Sequence, residues 1–346
     1  VFLAEAFTRP AMITTLATSQ MISAVQGALV QRRYGPPEVL SVGECAAPTP
    51  GKGEVVLRVK AAGLDRAAWH LTTGKPYLMR LVFGFSAPKN PVAGREVSGV
   101  VTAVGDDVSR LRVGDEVFGI GEGTFAEFAR ARADKLVKKP PTLSFEAAAV
   151  SGISGLTALN AVERAALRAG ERVLVIGASG GVGTFAVQLA HALGAQVTAV
   201  CSAAKQPLVR SLGASRVVDY ATDDITTHGE TFDVILDIGG RTPVAKLRRV
   251  LTPTGRLVFV GGEGGDALTG GMTRQLGAMA RGVFSRQRFI TGMANESHVD
   301  LERLSGFLAA GTVKPVVERV VTLAEVPQAM NDLAGGAVRG KIAVVP

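Results

Sequence analysis

The sequence predicts an α/β protein in two parts, a distorted β-barrel followed by a doubly wound parallel sheet. Three observations predict it. After Pro140-Pro141 the hydrophobic period changes from β-rich runs to strand–helix alternation with short loops. A glycine-rich run at 177–183 separates a β-branched strand from a helix. The 346 residues are 47% hydrophobic and 20% charged, which suits two domains with separate cores and excludes a disordered chain. The 42 glycines follow no triplet period, so a collagen-like chain is excluded as well.

Residues 1–27 read as an N-terminal extension, disordered or loosely docked. They are rich in Thr, Ser and Ala, with Glu5 and Arg9 as their only charges. Glu5 interrupts the one candidate apolar region of a secretory signal, and arginine is too sparse for a mitochondrial presequence. Residues 28–150 form the barrel part. Strands are expected at 29–32, 39–42, 54–62, 94–105 and 114–118, with a helix at 66–73. Glycines within 94–105 stand where barrels bend.

Residues 151–291 carry the parallel sheet. A helical turn starts at Ser144, and a helix is expected at 155–168. The run 172–176 is apolar and β-branched, as in a strand buried on both faces. Helix 181–193, strand 196–201, helix 205–212 and strands at 216–218, 234–237, 257–260 and 289–291 follow. Residues 292–346 return to the barrel part through helix 301–309, strand 316–320, helix 324–333 and strand 341–345.

Charge and cysteines narrow the function. A balance of 38 Lys+Arg against 30 Asp+Glu leaves +8, which suits nucleic acid, an acidic surface or an anionic small ligand. No zinc-finger spacing, homeodomain pattern or RNP-like motif accompanies it, so a nucleic-acid partner is not expected. Cys45 and Cys201 form no CxxC pair, which points to a reducing compartment, the cytoplasm. No apolar run reaches the ~20 residues that a membrane span needs.

Chemistry concentrates at 177–183. A strand, a glycine-rich turn and a helix let backbone N–H groups and the helix N-terminus hold a pyrophosphate. Gly177, Ser179, Gly180, Gly181, Val182 and Gly183 are the binding residues, with Gly180 and Gly183 at positions of close backbone approach. A tight turn with no ligand is the plain alternative. NAD sites usually place a carboxylate at the end of the second strand. Here that strand ends Val200-Cys201-Ser202-Ala203-Ala204-Lys205, with no carboxylate before Asp219. Ser202 and Lys205 suit a 2′-phosphate, Tyr220 is placed to stack or bond nearby, and Arg210 is a weaker candidate. NADPH is therefore the expected cofactor. A solvated surface lysine is the alternative for Lys205.

The chain resembles the medium-chain dehydrogenase/reductase superfamily and, within it, the zinc-free quinone oxidoreductase branch. The likeness rests on Tyr34-Gly35-Pro36-Pro37-Glu38-Val39-Leu40, the run from Gly94 to Val101, Val113-Gly114-Asp115-Glu116-Val117-Phe118-Gly119, Gly155-Leu156-Thr157-Ala158, residues 177–183 and Arg339-Gly340-Lys341. The resemblance implies a GroES-like catalytic domain built from both ends of the chain, an inserted Rossmann domain and a homodimer. It also implies that Thr157 and Val260-Gly261-Gly262 lie near the nicotinamide. Arg339, Gly340 and Lys341 fall near the cofactor's far end, and Asp237 to Gly240, with Gly239 among them, close a strand beside it.

Zinc enzymes of the superfamily use a Cys near the first helix and a His before the Glu of the third motif. Those places read Gly63-Leu64-Asp65 and Gly94-Arg95-Glu96 here. Arg95 would repel a cation and Leu64 has no donor atom. Two cysteines cannot build a four-cysteine structural site. Asp65, Glu96 and His70 are taken as a chance grouping, and no metal is expected. Without a Lewis acid to stabilise an alkoxide, hydride transfer favours an acceptor that delocalises its own charge. A quinone or an α,β-unsaturated carbonyl does so.

On the substrate side the branch often has an Asn-Pro pair where this chain has Asp65-Arg66. An ionised Asp65 cannot donate, so it acts only when protonated or through water, and a helix N-cap is the competing role. Trp69, Tyr77 and Met79 surround the same loop and are expected to wall the pocket, with Trp69 equally suited to core packing. The arginine-rich run 274–288 suits a solvated helix packed on its sheet, or else contact with a membrane surface or a subunit partner. Two other functions fit the same residues, reduction of an enoyl thioester and cofactor binding with little turnover.

Overall fold

The structure is a computed structural model that describes residues 25–262, 265–282, 285–291 and 295–346. The expectation for residues 1–24 lies outside these. Residues 25–27, assigned to the extension, instead begin the first strand.

Strands β1 (Val25–Gln31) and β2 (Leu40–Ala46) form an antiparallel pair. Next come β3 (Glu54–Leu64), helix α1 (Arg66–Thr73), the short α2 (Arg80–Phe83), β4 (Glu96–Val104) and β5 (Glu116–Ile120). Two strands beyond those expected, β6 (Phe128–Arg132) and β7 (Leu136–Lys138), complete this stretch. Both are short, and β6 alternates apolar with arginine, so neither offers a sustained pattern. Register shifts between Val56 and Leu57 and between Val59 and Ala61 bend β3 along β4. At Gly99 in β4 a Cβ would stand 2.2 Å from the Arg58 carbonyl oxygen, so the bend requires glycine there.

Helices α3 (Phe145–Ala149) and α4 (Gly152–Arg164) lead to β8 (Arg172–Ile176) and α5 (Gly181–Ala192). Helix α4 begins three residues before the expected start and stops four before the expected end. Ala166 adopts φ 47°, a left-handed conformation that terminates the helix. The order continues with β9 (Gln196–Cys201), α6 (Gln206–Ser211), β10 (Arg216–Asp219), β11 (Phe232–Asp237), α7 (Val244–Arg249), β12 (Leu251–Phe259), α8 (Met272–Gly282) and β13 (Arg288–Ile290). Helix α9 (His298–Ala309), β14 (Val317–Thr322), α10 (Val326–Ala334) and β15 (Lys341–Val345) follow.

Six strands pair in parallel in the order β10-β9-β8-β11-β12-β13. This is the doubly wound order, with its switch point between β8 and β11. Phe185, Val187 and Leu156 fill one face of the sheet, and Leu247, Ile235 and Leu257 the other. The second sheet runs β14-β15-β3-β4-β5-β7, with β6 also paired to β3. Residues Leu57, Val97, Phe125 and Leu136 form its core. Strand β15 therefore carries the late part of the chain back into the barrel, beside β3.

Candidate functional site

The glycine-rich turn leaves β8 at the switch point. Gly177 has φ 86°, and a Cβ there would lie 3.0 Å from the Gly239 amide across the gap. A Cβ at Gly183 would lie 2.1 Å from the Gly177 carbonyl oxygen, so the helix meets the turn only because Gly183 lacks a side chain. Gly180 caps α5 with extended backbone and no side-chain hydrogen bond. The first intrahelical bond runs from Thr184 N–H to Gly180 O at 2.9 Å. The amides of Gly181, Val182 and Gly183 thus precede the helical ladder, and the turn fits a pyrophosphate. Half-buried Gly180 lies beside the buried Ser179, whose carbonyl accepts from Gly340 N–H at 2.8 Å.

At the end of β9, Ser202 is half-buried and Lys205 turns back toward the chain's late segment. The Lys205 ammonium donates to Gly336 O at 2.6 Å and Val338 O at 2.7 Å, and burial lowers its pKa. It is not a freely solvated lysine. Arg210 donates to Gln206 one turn back on its own helix, and Tyr220 is largely exposed beyond β10. The β9–β10 register sets Asp219 opposite Cys201, with its Oδ1 accepting from Ala221 N–H. Arg339 donates to Glu318 across the same edge.

Lys341 is wholly enclosed. Its stem lies against α5, where Lys341 Cδ would be 2.7 Å from a Cβ at Gly181, and its ammonium pairs with Glu96 of β4. Glu96 also accepts from Ile153 N–H at 2.7 Å and Ser154 N–H at 3.1 Å, in the first turn of α4. Burial raises the Glu96 pKa, Lys341 opposes that, and Asp65 adds to the rise. Asp65 caps α1 by accepting from Ala68 N–H at 2.7 Å through Oδ1. Its Oδ2 is buried with no hydrogen-bond partner among the described residues. Cap and chemical group are one side chain. Thr157 lies one turn further along α4, its hydroxyl donating to Ile153 O at 2.7 Å.

Asp237 closes β11 fully buried, and its carboxylate is already engaged. Arg274 Nη2 donates to Oδ2 at 2.5 Å and Gly240 N–H to Oδ1 at 3.0 Å, while burial pushes the Asp237 pKa up. Asp237 also fixes the next strand end, since its carbonyl accepts from Val260 N–H and Gly261 N–H. Val260, Gly261 and Gly262 are half-exposed there. Arg274 comes from α8, so it packs inward, unlike the solvated arginine its run suggests.

Trp69 packs on the barrel core, with Arg66 over its ring at 5.6 Å. Half-buried Met79 and exposed Tyr77 lie on the following loop. Tyr77 N–H donates to Ala267 O, linking that loop to the parallel-sheet half. A cavity of about 740 Å³ opens beside α1, lined by Ala68, Leu71 and Thr72 with Gln31, Arg95 and Lys135 among others, and none of Asp65, Trp69, Tyr77 or Met79 lines it. Where a zinc enzyme has histidine, Arg95 binds Glu296 at 2.9 Å, with Lys135 on the same carboxylate at 2.7 Å. His70 bonds Lys75 O through its ring nitrogen.

Pattern reading placed Lys341 near the cofactor's far end but missed its pairing with Glu96, and it missed the inward course of Arg274. The available signal was a charged residue opening an otherwise buried strand, at Glu96 in β4 and Lys341 in β15.

Comparison with known proteins bears on this geometry. A family model described as alcohol dehydrogenase GroES-like domain matches residues 51–141, and one described as zinc-binding dehydrogenase matches residues 212–344. The mitochondrial NAD(P)H oxidoreductase RTN4IP1 of Danio rerio is 34% identical over 326 residues, covering 84% of this chain and 83% of its own length. The chloroplastic quinone-oxidoreductase QR1 of Triphysaria versicolor is 30% identical over 319 residues, covering 88% and 93%. The solved quinone oxidoreductase from Coxiella burnetii superposes with a TM-score of 0.82 at 25% identity, over 93% of this chain and 99% of that one.

Proposed function

Because the chain belongs to the medium-chain dehydrogenase/reductase superfamily, in its quinone oxidoreductase-like branch, and is an oxidoreductase with a nicotinamide cofactor, we propose that it reduces a quinone or an α,β-unsaturated carbonyl with NADPH and without zinc. In this reading residues 28–150 and 292–346 form the catalytic domain and residues 151–291 the cofactor domain.

The observation that carries the reading is the uncapped start of α5 beside the enclosed Lys341 and Glu96. When bound, the nicotinamide supplies a hydride. The amides of Gly181, Val182 and Gly183 bind the pyrophosphate, with Ser179 and Gly340 holding the turn in shape. Ser202 and Lys205 bind the 2′-phosphate, Tyr220 borders it, and Arg339 adds positive charge at that edge. Gly177, Gly239, Val260, Gly261 and Gly262 supply the close backbone on which the rest of the cofactor lies. Asp237 acts by holding that backbone, and Thr157 faces the nicotinamide end.

Asp65 Oδ2, buried with no partner among the described residues, is the polar atom assigned to the substrate oxygen, which it reaches through a water molecule. Trp69, Tyr77 and Met79 wall the acceptor and exclude water. Arg95, committed to Glu296, and Leu64 offer a metal ion nothing to bind. A homodimer is supported by family likeness and by β13, an edge strand with pairing capacity left over. The unpaired Cys45 and Cys201 support a cytoplasmic setting.

The test follows NADPH absorbance with 1,4-benzoquinone, 9,10-phenanthrenequinone, 2-alkenals and crotonyl thioesters. Turnover with the quinones or alkenals is expected, and it should survive a chelator. Turnover of thioesters alone would move the acceptor to that class. Tight NADPH binding with no turnover on any substrate would leave a binding protein, and loss to a chelator with recovery on a divalent ion would overturn the zinc-independent reading.

A further inference from the structure

Two stretches of the chain hold all of its surplus charge. Residues 66–94 contain Arg66, Lys75, Arg80 and Lys89 and no acid; residues 267–291 contain Arg274, Arg281, Arg286 and Arg288 and no acid. The rest of the chain carries equal numbers of the two signs. The fold joins these stretches, since Tyr77 N–H donates to Ala267 O at 2.9 Å and Leu78 N–H to Leu268 O at 3.0 Å.

At that junction the surface is apolar. Phe85 is 79% exposed, Leu81 68%, Val82 64% and Leu268 61%. On α8, exposed Met272, Leu276 and Met279 recur at helical spacing, while Ala278 packs inward and Arg274 reaches Asp237. The helix therefore turns an apolar stripe outward. Lys75, Lys89, Arg286 and Arg288 are exposed and make no ion pair among the described residues. Arg80 instead rests between the rings of Tyr34 and Tyr77.

We propose that this face docks on an anionic lipid bilayer, with Leu81, Val82 and Phe85 entering the headgroup region and the cations at its edge meeting lipid phosphates. Apolar side chains with a mainly cationic fringe match the chemistry of such a surface, the one described acid beside it, Asp266, being turned onto the amides of Leu268 and Thr269. A second copy of the chain is a poorer occupant of the Leu81–Phe85 patch, because a two-fold contact there, away from β13, would set Lys75 and Lys89 of one copy against those of the other. The face includes the Tyr77 loop, so docking presents that loop to an acceptor dissolved in the bilayer. That last consequence rests on the function proposed above; the docking itself does not.

The full chain is sedimented with extruded phosphatidylcholine vesicles, with and without phosphatidylglycerol, and NADPH affinity is measured on the same samples. Binding about tenfold tighter to the anionic vesicles is expected. The double variant L81D/F85D should lose vesicle binding about tenfold or more while keeping its NADPH affinity. K75E/K89E should lose the preference for anionic lipid. No sedimentation with either vesicle, or equal binding by wild type and L81D/F85D, would overturn the proposal. So would conversion of a dimer to a monomer by L81D/F85D in light scattering, which would assign the face to a second copy. A chain that docks but fails to bind NADPH would strike the functional reading alone.

Discussion

Two ion pairs bury charge on either side of the glycine-rich turn, and they differ in what they join. Lys341–Glu96 joins two strands of the barrel sheet, β15 and β4, and ties them to helices outside it: its lysine stem crosses α5 and its glutamate holds the first turn of α4. The side chains are 2% and 0% exposed, and both carboxylate oxygens are engaged. Asp237–Arg274 lies within the parallel-sheet half. Arg274 remains 17% exposed, and its Nε has no partner among the described residues. A fully enclosed pair has no water to fall back on when one partner is lost; a pair at a rim can relax. The first locks the barrel sheet onto α4 and α5, and the second is a local clamp on residues 238–242.

The comparison is broken most directly at Lys341. K341M should cost about 3–5 kcal/mol in urea unfolding, because Glu96 is left buried without its cation. The double variant E96L/K341M should recover most of that loss; equal losses in the single and double variants would mean that the two residues do not work as a unit. D237N is expected to cost less, about 2 kcal/mol, since Arg274 can turn toward water. Faster proteolysis near residues 238–242 should accompany it, and a loss as large as that of K341M would erase the distinction.

Lys205 sharpens the contrast, because its partners are carbonyl oxygens and not a carboxylate. K205A should weaken NADPH binding about tenfold in a fluorescence titration and leave NADH binding unchanged, since tenfold is about 1.4 kcal/mol. Equal weakening of both would reduce Lys205 to a brace for residues 336–338. The smallest effect is expected at Glu296, a half-exposed carboxylate on Arg95 and Lys135. E296Q should cost under about 1 kcal/mol at neutral pH. Burial would raise the Glu296 pKa, but Arg95 and Lys135 outweigh it and hold it below the usual glutamate range. Its stabilisation is present above that range and fades as pH falls through the depressed value. The acid side of a melting-temperature profile should therefore be flatter in E296Q.

Much of the fold was written locally. Helix α1 and strands β8, β9 and β15 have the expected bounds, because each is fixed by neighbours in sequence: the Asp65 cap, a β-branched run, a glycine turn. The pyrophosphate turn was legible for the same reason. What stayed hidden depends on distant partners. Glu96 and Lys341 are 245 positions apart, and nothing in either segment announces the other. Arg274 reads as one more surface arginine until its side chain is seen to reach Asp237 at the end of β11. Helix α4 starts early where Glu96 receives its first amides, a contact that no helical period encodes.

The place of β15 has a consequence for biosynthesis. Strand β15 lies between β14 and β3 in its sheet, so a strand near the start of the chain waits for a neighbour made some three hundred residues later. The parallel sheet needs nothing beyond residue 290 for its own strands and can form on the ribosome first. The barrel closes only after translation has passed residues 341–345. Until then Glu96 has no lysine, and a nascent chain stalled in that stretch would expose an open sheet edge for chaperones to cover.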